Sequence, residues 1–249
     1  MPAGARRLAY RAALFFQPET VRHWSRGFPS IEATLRCMKA RGFDPRLGVD
    51  IGAHDGYWTL FFRQEFPACR MMMVEGMESK TDRLRQVSQE SGGAIDFRIA
   101  ILGASHGQSV RWVEMGTGSS ALEEHSAYPR DVKQRTLASL DELLGADASK
   151  VDFLKLDVQG YELEVLRGAT RCMDHAQAVY LEVSLVPVND GCPLFNEVVA
   201  FMDSKGFRCL DFCSQTRRKD GVLWQTDLMF VKNGSALVPE PVLDGRNWT

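Results

Sequence analysis

At 249 residues, with 45 % hydrophobic and 25 % charged side chains, the chain is composed as an ordinary soluble globule, large enough for one α/β domain with additions. Its 30 basic and 32 acidic residues leave a formal charge of −2, which removes the electrostatic case for nucleic acid or an anionic membrane as partner. The six cysteines include no C-x-x-C pair, so they read as reduced, mostly buried thiols in a cytoplasmic protein with no structural metal.

Residues 1–44 read as a helical extension. The segment ARRLAYRAALFF is an amphipathic helix ended by Pro18. Its uninterrupted apolar run is too short for a signal peptide, and no span reaches membrane length. It either packs on the domain or on a second copy in a homodimer, or serves as a substrate lid. Ser30 then caps a helix carrying Ile31, Leu35 and Met38, with Gly42 past its end.

The stretch that organises the rest is LGVDIGAHDGYW, Leu47 to Trp58: an apolar strand over 47–51, a glycine turn, and a helix from about 56 to 65 closed before Pro67. Strand, glycine turn, helix lets a backbone approach a nucleotide-like ligand closely. The next strand, 70–74, runs into Glu75, which lies 25 residues after Asp50 and is placed to accept from ribose hydroxyls. A polar helix over 78–90 ends at Gly92-Gly93, and a third strand spans 96–101.

Residues 104–138 break the alternation. Two strands, 108–115 and 133–138, flank a loop GTGSS and a polar segment around His125-Ser126. This insert is either a surface hairpin or, as the length of a structured connection at such an edge favours, a flap over the crevice. Ser139 and Glu142 have capping-box spacing ahead of a short helix. A strand over 151–156 ends at Asp157, followed by Val158-Gln159-Gly160-Tyr161-Glu162 and a helix carrying Leu163, Leu166 and Ala169. Further elements are a strand at 178–183, a helix at 195–204 stopped by Gly206, and strands at 207–212 and 227–232. The short basic link between those last two strands contains no helix, so the final strand is expected to run antiparallel to its neighbour. The core domain spans 45–233, with a loosely ordered tail over 234–249.

Read together, VDIGAHDGYWTL, MVEGM, RIAILG, TLASLDELL, VDFLKLDVQGYELEVLRGA and VYLEVS, in this order, are similar to the FkbM-type family of S-adenosylmethionine-dependent O-methyltransferases. The resemblance implies a class I methyltransferase fold: a Rossmann-like sheet of about seven strands, the last antiparallel, with helices on both faces. It also implies methyl transfer to a hydroxyl of a sugar, polyketide or similar small metabolite. On this sequence Asp50, Gly52, Ala53, His54 and Gly56 would form the turn beside the cofactor's amino-acid part. Glu75 would hold the ribose, with Gly76 and Met77 beside the adenosine, Ala100 and Ile101 near the adenine, and Ser119 and Ser120 in the connecting loop. One position departs from the family pattern, which has an acid where this chain has Gln159.

In an open α/β sheet the ligand lies outside the carboxyl ends of the strands. Asp157 is there, and two roles are open to it: general base or acceptor-orienting group supported by Glu162, or cap of the following helix, with Glu162 complementing the helix dipole. Glu182, at the end of the next strand, could bind acceptor hydroxyls. Asp157, Glu182 and Asp55 could together hold a divalent cation, but no spacing demands it. Trp112 and Trp224 read as packing residues that could otherwise stack on an acceptor. Two other readings of the chain remain: a nicotinamide-dependent oxidoreductase, disfavoured because Gly52 and Gly56 lack the G-x-G-x-x-G arrangement, and a non-catalytic binding domain.

Overall fold

The computed structural model describes residues 29–124 and 126–239. The amphipathic helix expected before Pro18, His125, and the tail beyond residue 239 lie outside the described residues. Between them the chain runs α1 (Ile31–Ala40), β1 (Leu47–Ile51), α2 (Tyr57–Glu65), β2 (Arg70–Glu75), α3 (Thr81–Glu90) and β3 (Ile95–Ile99). It continues through β4 (Ile101–Leu102), β5 (Ser109–Glu114), β6 (Asp131–Ala138), α4 (Leu140–Leu144), β7 (Phe153–Leu156), α5 (Glu162–Arg167) and α6 (Thr170–His175). The last elements are β8 (Ala178–Ser184), α7 (Phe195–Ser204), β9 (Phe207–Phe212), β10 (Thr216–Arg217) and β11 (Leu223–Lys232).

The principal sheet has the order β3-β2-β1-β7-β8-β11-β9, with the two-residue β10 also on β11. β3, β2, β1, β7 and β8 pair in parallel. β11 is antiparallel, as the short link before it requires, and it slots between β8 and β9 instead of adding to the rim. The strands read as near-continuous apolar runs because both faces are covered. α4, α5, α6 and α7 contribute to the core on one face, and α1, α2 and α3 to that on the other, where Phe62 and Phe153 stack at 4.6 Å. Leu237 also enters this second core, 3 % exposed, so the described part of the tail is anchored on the domain.

Three local expectations change. The strand expected over 96–101 is broken at Ala100, whose amide makes the last bond to the main sheet, at the Glu75 carbonyl. Ile101–Leu102 then turns away and pairs in parallel with β6, making a second sheet of order β4-β6-β5. The helix expected through Ala169 divides into α5 and α6 at Gly168, where a Cβ would lie 2.2 Å from the Gly103 carbonyl oxygen. The Ser139 cap forms, but the Glu142 carboxylate accepts from the Ser139 hydroxyl and meets His106 instead of closing on the Ser139 amide.

One row of the sheet departs from the apolar rule. Asp50 of β1 and Lys155 of β7 are register partners, and both point to the face covered by α2. Their side chains are 0 % and 4 % exposed, with Lys155 Nζ 2.9 Å from Asp50 Oδ1. Thr59 of α2 donates to Asp50 Oδ2 at 2.7 Å, and Lys155 also donates to the Gly52 carbonyl at 2.9 Å. The pair therefore ties β1, β7, α2 and the first residue of the glycine turn at a single point.

A buried pair is costly to break and close to neutral to replace. Lys155→Met alone should lower the unfolding free energy by about 3–5 kcal/mol, and adding Asp50→Leu should restore much of it. Urea titration of the three proteins checks both expectations.

Candidate functional site

The crevice is built by what happens where β1 and β2 end. Gly52 and Ala53 both donate to the Val74 carbonyl, at 2.9 and 3.2 Å, which turns the chain sharply over β2. Gly52 has φ +75°, and a Cβ there would lie 1.9 Å from the Asp157 carbonyl oxygen, so only glycine lets the ends of β1 and β7 approach this closely. His54 follows with a left-handed φ of +50° that aims its amide at Glu75 Oε2, 2.8 Å away. Met77 donates to Glu75 Oε1 at 2.9 Å. Two backbone amides thus lock a carboxylate that is 4 % exposed, while each of its oxygens keeps a lone pair for a ligand hydroxyl.

Gly52, His54, Glu75, Gly76, Met77, Ala100, Ile101 and Ser119 all line this crevice. Trp112 of the insert walls the crevice as well. It packs against Met77, Ile101 and Leu137, and a Cβ on Gly76 would come within 2.8 Å of its ring. Asp50, Ala53, Gly56 and Ser120 are not on the lining. Asp50 is in the buried pair, Ala53 is in the core beneath α2, and Gly56, φ +77°, starts that helix. Ser120 is 1 % exposed and donates to the Gln159 carbonyl at 2.9 Å, which ties the insert to the loop after β7. Asp55 is turned to Lys80 and His54, at 3.0 and 2.9 Å, and the Lys80 hydrogen bond holds its carboxyl below the usual range. It therefore does not join Asp157 and Glu182, and among the described residues no acidic, cysteine or histidine cluster has the makings of a metal site.

A second cavity, of about 640 Å³, opens beside the first and shares Thr117, Asp157 and Gln159 with it. Its floor is the carboxyl end of β7 and β8 and the start of β11. Gln159 has φ +54°, and its amide donates to Asp157 Oδ1 at 2.8 Å and to Glu182 Oε1 at 3.0 Å. Gln225 of β11 donates to the same Glu182 oxygen at 2.7 Å. Gln159, the departure from the family pattern, thus bridges the two carboxylates that the sequence singles out.

Burial first, and then the neighbouring Asp157, Glu162 and Asp227, push the Glu182 carboxyl up to about 9. Glu162 lies beneath the loop, on the lining of neither cavity, and 3 % exposed. It accepts from the amides of Val158 and Gly160 at 3.0 and 3.2 Å. Burial raises its carboxyl to about 7. The structure therefore brings Asp157 and Glu182 together and sets Glu162 behind them as the clamp of the loop.

Sequence reasoning missed Lys155 and Gln225. The signal for Lys155 was a lone cation inside the apolar strand VDFLKL. Gln225 could have been found from the antiparallel sense of the last strand, whose beginning must lie at the same rim as the ends of its parallel neighbours.

The sheet order and the crevice at the ends of β1 and β2 define a protein of the class I methyltransferase type. Residues 50–209 match the methyltransferase FkbM domain, and the chain belongs to that family. Three solved structures are among those similar to this chain. One is a magnesium protoporphyrin IX methyltransferase from Synechocystis PCC 6803 with bound S-adenosylmethionine, at 13 % identity over 81 % of this chain and 77 % of that one, TM-score 0.48. Another is a 1,6-didemethyltoxoflavin-N1-methyltransferase from Burkholderia thailandensis, at 11 % identity over 94 % and 91 %, TM-score 0.45. The third is WbdD, at 14 % identity over 84 % of this chain and 40 % of that one, TM-score 0.48. No curated protein matches.

The family implies S-adenosylmethionine as methyl donor, and the residues fit it. Glu75 offers acceptors to a ribose, and Met77, Ile101 and Trp112 supply an apolar wall for a base. Among the described residues no helix is long and apolar enough to cross a membrane.

The raised carboxyls set the pH response of the fold. Glu162 and Glu182 hold protons in the folded state that the unfolded chain releases near its ordinary value of 4.5, so their contribution is complete below that value and is lost as pH rises through about 7 and about 9. Thermal unfolding should show Tm falling across this interval, with a shallower fall near pH 7 in Glu162→Gln.

Proposed function

We propose that the chain transfers a methyl group from S-adenosylmethionine to a hydroxyl of a small metabolite or carbohydrate. The observation that carries this reading is that Asp157 and Gln159 belong to the walls of both cavities. A donor in the crevice and an acceptor in the larger cavity would meet at one carboxylate.

The cofactor supplies an electrophilic methyl on a sulfonium, and an in-line displacement asks the protein for alignment and for a place to put one proton. Asp157 serves both needs. Its Oδ1 is held by the Gln159 amide, and Lys155 stands 3.9 Å from Oδ2, so the carboxylate is fixed at the mouth between the cavities. A hydroxyl donating to it is oriented toward the crevice and gives up its proton there as the new C–O bond forms. Glu182, held neutral by its burial, can donate to a second acceptor oxygen and set the acceptor's orientation. Glu75 fixes the other end of the donor through the ribose. The insert contributes Trp112 and Ser119 to the crevice wall, which supports the flap reading over a plain surface hairpin.

Two variants separate binding from chemistry. Glu75→Ala should weaken S-adenosylhomocysteine binding, measured by calorimetry, by about 10–100-fold, the loss of one or two charge-assisted hydrogen bonds. Asp157→Asn should bind the same ligand normally and lose roughly 10²–10⁴-fold in methyl transfer. Unchanged turnover in Asp157→Asn would remove the catalytic assignment.

A further inference from the structure

The lining of the larger cavity carries information about the acceptor that goes beyond the presence of a hydroxyl. Three of its residues are carboxylic acids, Glu124, Asp157 and Glu182. Three more are amides, Gln159, Asn189 and Gln225, and Tyr128 and Trp224 supply aromatic surface. No lysine, arginine or histidine stands among the described lining residues.

Two cations near the cavity are already paired. Arg130 is paired with Glu124 at 3.0 Å, and Lys155 is sealed beneath the floor against Asp50. Farther along, Arg217 of β10 donates to the Gly221 carbonyl and Arg218 is paired with Asp220. A phosphate or carboxylate entering here would meet acids and no free guanidinium or ammonium of the lining. Sites that take such anions present arginine or lysine to them. Acids, amides and flat aromatic surface are instead the groups that hold hydroxyls and the apolar faces of a sugar ring.

We infer that the acceptor is a polyhydroxylated compound without an anionic group, a neutral or amine-bearing glycosyl unit in place of a sugar phosphate, nucleotide sugar or uronic acid. The inference rests on the larger cavity being the acceptor site of the proposed reaction. Asp157 repels an anion at close range, Glu124 is already compensated by Arg130, and the amides of Gln159 and Gln225, both already donating to Glu182, offer an anion little in return.

Trp224 lies in the lining, so its fluorescence reports occupancy directly, without turnover. The full-length protein saturated with S-adenosylhomocysteine is titrated with four probes of similar size: methyl glucoside, glucosamine, glucose 6-phosphate and glucuronate. Trp224→Phe identifies the part of the signal that belongs to the cavity. The first two probes should bind at least ~10-fold more tightly than the last two. Gln225→Arg, which sets a guanidinium in the lining, should narrow or reverse the difference. Equal or tighter binding of the anionic probes to the unaltered protein overturns the inference, as does failure of all four to bind across the millimolar range. Binding of the neutral probes with no methyl passed to their hydroxyls supports the inference about charge and defeats the hydroxyl-transfer reading, so the two fail separately.

Discussion

The buried contact between Lys155 and Asp50 is the constraint on which the site depends. It occupies the row of the sheet where β1 and β7 run side by side, at the point where both strands are about to end. Lys155 also holds the Gly52 carbonyl, and Thr59 brings α2 to the other carboxylate oxygen. The geometry of the glycine turn, the start of α2 and the exit of β7 toward Asp157 are therefore set together. A pair sealed this deeply is weak evidence for stability, because its desolvation offsets much of its attraction. Its structural effect is positional: the closest backbone approach in the crevice, Gly52 against Asp157, lies just beyond it.

Above that point the rim is assembled from carboxylates kept apart in role by their surroundings. Asp157 faces both cavities, Glu182 is half-buried between two amides, and Glu162 sits under the loop with two backbone amides on one oxygen. Three acids within one loop and the next strand would repel one another if all were charged. Burial resolves this by raising Glu162 and Glu182 while the more exposed Asp157 keeps its contact with solvent. Gln159 completes the arrangement, since a single amide NH₂ can donate to two acceptors and carries no charge of its own.

The main sheet, its helices and the antiparallel last strand were legible in the sequence, because they rest on local signals: apolar runs, glycine stops, Ser30 as a cap, and a link too short for a crossover. The crevice was legible for the same reason, with Glu75, Gly52, His54 and Met77 placed where the strand ends put them. What escaped depends on partners distant in sequence. The family resemblance puts Asp50 in the turn beside the cofactor, yet its side chain is turned to Lys155, 105 positions later. Glu162 was read beside Asp157 from its spacing along a helix, whereas the chain bends at Gln159 and Gly160, both with positive φ, and folds Glu162 inward. The break at Ala100 was hidden because one apolar run serves two sheets.

The place of β11 has a consequence for how the chain acquires its site during synthesis. The strand enters between β8 and β9, both of which leave the ribosome earlier, and it bonds to each of them along much of its length. Until residues 223–232 emerge, those two strands cannot have their native partner, and each presents an open edge of the kind that invites pairing with another chain. The floor of the larger cavity is unfinished for the same interval, since Trp224 and Gln225 arrive with that strand. The crevice beside β1 and β2 uses none of these residues. A nascent chain can thus form the crevice beside β1 and β2 while still attached, and the larger cavity is completed last.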